Sequence, residues 1–133
     1  MNMNKITKKH NKKTILIVDD EPSLSSALLD VFSRSGYDVI MAENGEQGLK
    51  SAKNNHPDII LLDIIMPVMD GSTMLAKLRQ DTWGKQAKVI MLTNLSAPEE
   101  EAASLSKNVE DYIIKSDWKI KDVVDLVNKK LGE

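Results

Sequence analysis

Five short apolar runs, at residues 14–18, 38–41, 58–62, 88–92 and 111–114, constrain the fold of this chain more than any other feature. Several are apolar at consecutive positions, as in Ile15-Leu16-Ile17-Val18 and Ile59-Ile60-Leu61-Leu62, instead of alternating. A strand with one wet face alternates; a strand covered on both faces does not. The runs therefore predict a parallel sheet between two layers of helices. The intervening segments carry the helical period. Leu24, Ala27, Leu28 and Val31 fall at i, i+3, i+4 and i+7, and Ile120, Val123, Val124, Val127 and Leu131 repeat the pattern near the C-terminus. Pro22 suits a first turn. Gly36 can take the left-handed conformation that ends the first helix. Asn44-Gly45 and Asp70-Gly71 open the second and third helices. Ser96-Ala97-Pro98-Glu99 reads as a capping box opening a fourth. Lys129 and Lys130 lie near the negative end of the last helix dipole. Gly48, inside the second helix, costs about 1 kcal/mol relative to alanine; close packing is the one reason found for it. The order is (βα)5, and right-handed crossovers make it a three-layer α/β sandwich.

At 133 residues the chain is long enough for one domain with a real core. It has no cysteine, which excludes disulfides and thiolate metal sites. No window approaches a bilayer span, and no apolar stretch follows the N-terminal lysines as a secretory signal requires. A cytoplasmic location is expected. The net charge of −2 hides an asymmetry. Lys5, Lys8, Lys9, Lys12 and Lys13 stand in residues 1–13 without an acid, whereas residues 14–133 hold 13 basic and 20 acidic side chains. Residues 1–12 are expected to form a disordered basic tail and residues 13–133 the folded domain. An acidic body lacks the clustered basic face of a nucleic-acid binder.

Carboxylates end two of the apolar runs. Asp19-Asp20-Glu21 follows the first, and Asp63 follows the third. Burying an ionised carboxylate costs several kcal/mol, roughly, unless it is paired. Each feature alone has an ordinary explanation: an acidic pair can cap a helix, Asp63 can cap a turn before Pro67, Thr93 can bond locally, and Lys115 can be solvated. Together they stand at successive strand ends, where open α/β folds bind ligands. In a flavodoxin-like order, 2-1-3-4-5, the first and third strands are neighbours and Asp19, Asp20 and Asp63 converge. Two like charges about 4 Å apart repel by about 4 kcal/mol at an effective dielectric near 20. Three such pairs weigh heavily against a domain stability of roughly 5–15 kcal/mol. The site needs a cation or must take up protons. All-oxygen donors favour Mg²⁺ over zinc or copper. Mg²⁺ and Lys115 together balance three aspartates and leave the site ready for an added anion. Phosphoryl fits: a carboxylate can form an acyl phosphate, with Mg²⁺, Thr93 and Lys115 stabilising the transferring oxygens.

The set Asp19-Asp20, Asp63, Thr93 and Lys115, within "ILIVDDEP", "DIILLDIIMPVMDG", "VIMLTN" and "DYIIK", resembles the receiver domain of two-component response regulators, the chemotaxis-Y-like group. The resemblance covers about residues 13–132. It implies that Asp63 accepts phosphate from a histidine kinase or phosphotransfer protein. It implies Mg²⁺ held by Asp20 directly, by Asp19 partly through water, by Asp63 and by the backbone carbonyl of Ile65. It makes Thr93 and Tyr112 the switch residues, acting on the face of the fourth helix, fifth strand and fifth helix. Tyr112 also reads as an ordinary strand residue half covered by a helix. Such a domain is a phosphoacceptor with only self-phosphorylation and self-dephosphorylation chemistry, not a turnover enzyme. With no output domain in these residues, a stand-alone regulator signalling by protein contact is expected, without direct nucleic-acid or membrane contact.

Four positions depart from the pattern. Ser116 stands where receivers usually have a proline, often in a cis bond, so the Lys115–Ser116 bond is expected either trans with a shifted loop or as a strained cis bond. Asn94 replaces a small residue after Thr93. Ile65 and Leu95, two past Asp63 and Thr93, are apolar where polar side chains would position a water; slow loss of phosphate follows. Two competing readings remain. One is a phosphate-independent binding module, against which the full acidic, Thr and Lys set argues. The other is a Mg²⁺-dependent aspartyl-phosphate phosphohydrolase. Haloacid-dehalogenase-type enzymes place a second Asp two residues after the nucleophile, where this chain has Ile65. No GxxxxGK or GxGxxG string supports nucleotide binding.

Overall fold

The computed structural model describes residues 12–93 and 109–132. Five strands, β1 (Thr14–Val18), β2 (Asp38–Ala42), β3 (Ile59–Asp63), β4 (Val89–Thr93) and β5 (Asp111–Ile114), form one sheet of order β2-β1-β3-β4-β5. Every pairing is parallel. The described helices are α1 (Pro22–Arg34), α2 (Gly45–Asn55), α3 (Gly71–Leu78) and the C-terminal α4 (Ile120–Lys130), with short 3₁₀ turns at Gly84–Gln86 and Lys115–Asp117. The strand positions follow the apolar runs to within one residue. The capping box at Ser96, with the helix it was expected to open, lies outside the described residues, as do Asn94 and Leu95.

Every residue of β1 from Ile15 to Val18, and all of β3, is buried. Alternate side chains leave the sheet on opposite faces. Leu16, Val18, Ile60 and Leu62 join Met74, Leu75 and Leu78 of α3 and Ala52 of α2. Ile15, Ile17, Ile59 and Leu61 join Leu28 and Phe32 of α1 and Val123, Val124 and Val127 of α4. Consecutive apolar residues thus serve two cores at once, which is why these runs do not alternate. β2 lies at the sheet edge, and its Met41 is exposed.

Local chemistry sets the helix ends. The Asn44 side chain accepts from Gln47 N–H at 2.9 Å and that of Asp70 from Thr73 N–H at 2.8 Å, each satisfying an orphan donor of the first turn. α1 begins with Pro22 at a position whose missing N–H costs nothing. Its N-cap, Glu21, makes no side-chain cap bond, because its carboxylate is turned toward Lys115.

Gly48 has a packing reason. A Cβ there would lie 2.8 Å from both Val18 methyls and 2.9 Å from Met74 Sδ. The second helix can approach β1 only without a side chain at this point. Gly48→Ala gains helix propensity, about 1 kcal/mol, yet should lower stability on balance by about 1–2 kcal/mol through overpacking. Urea unfolding of the two proteins checks the sign.

Candidate functional site

The parallel register of β1 with β3 pairs Val18 with Leu62. The next residue on each, Asp19 and Asp63, therefore emerges at the same end of the sheet. Asp63 extends β3 by one residue beyond the predicted strand, opposite Leu92 of β4. Asp19 and Asp63 are 3% and 4% exposed, whereas Asp20 faces solvent. Carboxylate oxygens of Asp19, Asp20 and Asp63 all lie within 4.8 Å of one another, close enough to hold one metal ion. Beside them a cleft of about 380 Å³ is lined by Asp19, Asp20, Ser25, Glu43 and Gln47 among others.

Lys115 reaches this cluster from the end of β5. Its Nζ stands 2.6 Å from Asp19 Oδ2, 2.9 Å from Glu21 Oε1 and 3.3 Å from Asp63 Oδ2. The described residues contain no cis peptide bond. The Lys115–Ser116 bond is therefore trans, and Lys115 still meets Asp63. Glu21 joins the site from outside the predicted set. It was visible as part of an acidic run, but nothing in spacing pairs it with a lysine 94 positions away. Its carboxylate upsets the simple balance of Mg²⁺ and one lysine against three aspartates.

The other Asp19 oxygen, Oδ1, accepts from Glu21 N–H at 2.8 Å, which fixes the carboxylate's orientation. Burial pushes the Asp63 carboxyl up to about 6; Lys115 opposes this and Asp19 adds to it, while the Ile65 backbone N–H bonds to the carboxylate. Burial works against the charged form of Lys115, but its bonds to Asp19 and Glu21 and the charges of Asp19 and Asp63 outweigh it and raise its pKa. The metal candidates are oxygen donors only. The open side at Asp20 leaves room for water, which suits an ion that keeps part of its hydration shell.

The loop after Asp63 is tightly held. A Cβ on Gly71 would come within 2.0 Å of the Asp63 carbonyl oxygen, and Gly71 N–H donates to Ile64 O at 2.8 Å. Val68 has φ +68°, and Met69 N–H donates across it to Pro67 O at 2.7 Å. This is a γ-turn in its rarer, strained form, built on a β-branched residue. Ile65, in the same loop, is 56% exposed. Thr93 ends β4, level with Ile114 of β5; its side chain is outside what is described. Tyr112 is half-buried in β5 and packs against the core under α2 and α3.

Residues 15–128 match the response regulator receiver domain family. The chain belongs to that family. It is thus a receiver domain of two-component signalling, a signalling domain. Over 105 residues it is 40% identical to the alkaline phosphatase synthesis transcriptional regulatory protein PhoP of Bacillus subtilis, covering 79% of this chain and 42% of that protein. The probable transcriptional regulatory protein TcrX of Mycobacterium tuberculosis is 33% identical over 111 residues, covering 84% of this chain and 46% of the relative. The chain thus spans less than half the length of these relatives. Among solved structures, a CheY-like receiver domain protein from Methanospirillum hungatei superposes with a TM-score of 0.82 at 29% identity, over 92% of this chain and 95% of that one. The CheX–CheY–BeF₃–Mg²⁺ complex of Borrelia burgdorferi gives 0.77 at 32% identity, over 88% and 87%. Among the described residues, no helix is long and apolar enough to cross a membrane.

The raised Asp63 pKa has a definite sign. Between about pH 4 and 6 the folded state of this receiver domain keeps a proton that the unfolded chain has lost. Stability from this group therefore falls as pH rises through that window and stays lower above it. In metal-free buffer Asp63→Asn should be more stable than the wild type at pH 7, by about 1–3 kcal/mol, and the difference should vanish near pH 4. Urea unfolding at several pH values measures both.

Proposed function

We propose that this receiver domain is a Mg²⁺-dependent phosphoacceptor whose acceptor is Asp63. Asp19, Asp20, Asp63 and the Ile65 carbonyl would hold the ion, whose contribution is to neutralise charge on the transferring oxygens. What supports the reading most is one contact: Lys115 Nζ at 3.3 Å from Asp63 Oδ2, beside two further aspartates that could share a metal.

An Asp63 carboxylate oxygen attacks phosphorus and forms the new P–O bond. The bond to the donor breaks, and its electron pair leaves with the donor atom, an imidazole nitrogen of a phosphohistidine or an acetate oxygen of acetyl phosphate. Water later attacks phosphorus, returning Asp63 as carboxylate and releasing inorganic phosphate and a proton. Lys115 and Thr93 donate to the phosphoryl oxygens. Tyr112 and Thr93 carry the change to the partner-binding face that includes β5 and α4. The proposed partners are a sensor histidine kinase or phosphotransfer protein upstream and a protein target downstream, in the cytoplasm.

Incubation with Mg²⁺ and acetyl phosphate should give a base-labile phosphoryl adduct by intact mass, absent in Asp63→Asn. No adduct on the wild type would favour a phosphate-independent binding module, and steady turnover of small phosphate esters a phosphohydrolase.

The exposed Ile65 side chain offers nothing to orient an attacking water. Ile65→Asn should therefore speed loss of the phosphoryl group by about tenfold, a modest effect for one positioned polar group. Decay of the isolated adduct, followed by mass, tests this; an unchanged lifetime would count against it.

A further inference from the structure

We propose that Glu21 is a positioning residue that competes with Asp63 for Lys115 and so sets how readily the acceptor takes phosphate. The inference rests on the phosphoacceptor reading above and goes beyond it to a residue outside the acceptor, metal and switch set. Lys115 has three N–H donors and three carboxylate neighbours. The short contacts, 2.6 and 2.9 Å, go to Asp19 and Glu21, and the long one, 3.3 Å, goes to Asp63. The lysine is thus held toward β1, away from the residue it would assist.

The burial of the partners is unequal. The side chains of Lys115, Asp19 and Asp63 are 8%, 0% and 6% exposed, and that of Glu21 is 40% exposed. Glu21 is the one partner that solvent can stabilise without the lysine, so its contact is the easiest to exchange. With Asp19 engaged by a metal, Lys115 is left with Glu21 and the acceptor. Asp19, Asp20, Glu21 and Asp63 carry four negative charges against one on Lys115. A divalent ion leaves a deficit of one, and conversion of the Asp63 carboxylate to an acyl phosphate dianion adds one more. Glu21 is the surplus acid in that sum. Its charge attracts the metal and opposes the phosphoryl group.

Glu21→Gln should therefore separate two quantities that simple damage would move together. Mg²⁺ affinity, measured by calorimetry without a phosphodonor, should weaken by about threefold to tenfold, the effect of removing one nearby negative charge that attracts the cation. The rate of phosphorylation by acetyl phosphate at saturating Mg²⁺ should rise by a similar factor. Glu21→Asp keeps the charge but shortens the reach to Lys115. It should hold Mg²⁺ affinity within about twofold of wild type, since the charge is retained, and still phosphorylate faster. Both quantities unchanged, or both reduced, in Glu21→Gln would overturn the proposal, as would a Glu21→Asp protein that phosphorylates no faster than wild type. An adduct on the wild type with no gain in either variant defeats this inference alone. No adduct on the wild type defeats the phosphoacceptor reading and this inference with it.

Discussion

The pairing of β1 with β3 is the constraint on which the site depends. Two strands buried on both faces supply much of the core, and their parallel register leaves Asp19 and Asp63 adjacent at one end. The favourable burial of the strands and the unfavourable closeness of the carboxylates come from the same alignment. Moving one strand by a residue would relieve the charges but would exchange the two faces and place each apolar side chain in the wrong core. The fold therefore retains the repulsion. Lys115 answers it from β5, across β4, with a side chain long enough to cross the end of the sheet.

Most of the architecture was legible because complete burial leaves a plain trace. A run such as Ile59-Ile60-Leu61-Leu62 has few alternatives to a central strand, and the helical period of residues 120–131 reappears as the buried face of α4. Boundaries were less legible. Asp63 reads as outside the strand because it is charged, yet Ile64 N–H still donates to Leu92 O at 3.1 Å and the ladder runs past it. The role of Glu21 is not legible in the sequence: a contact between long side chains on distant elements depends on rotamers, which periodicity does not record. Val68 gave no warning, since a β-branched residue is a poor choice for φ +68°. Gly48 was visible as an anomaly, and the Val18 methyls supply its cause.

The loop from Asp63 to Gly71 shows how strain and closeness work together. Residues held in unfavourable backbone regions cost about 1–3 kcal/mol and persist only where their surroundings fix them. Around Val68 the fixing contacts are Met69 N–H to Pro67 O, Gly45 N–H to Met69 O at 2.9 Å and Gly71 N–H to Ile64 O. Two of these use glycines that leave no room for a Cβ against the loop backbone. The segment carrying Ile65 is thus clamped between β3, α2 and α3. Its backbone N–H meets the Asp63 carboxylate in a fixed place, and such preorganisation spares the site reorganisation when charge arrives.

A single ammonium shared among three carboxylates is a sensitive arrangement. Its preference is set by small differences in distance and exposure, so a unit of charge added at one partner shifts that preference toward it. On the phosphoacceptor reading, that unit arrives at Asp63. Lys115 then has reason to leave Glu21, and it is the first residue after β5, three positions beyond Tyr112. On the same reading, a change of charge at the end of β3 would be coupled to the backbone of β5 through one side chain. No long chain of contacts is needed. What is required is that the lysine have two places to go, and the position of Glu21 supplies the second.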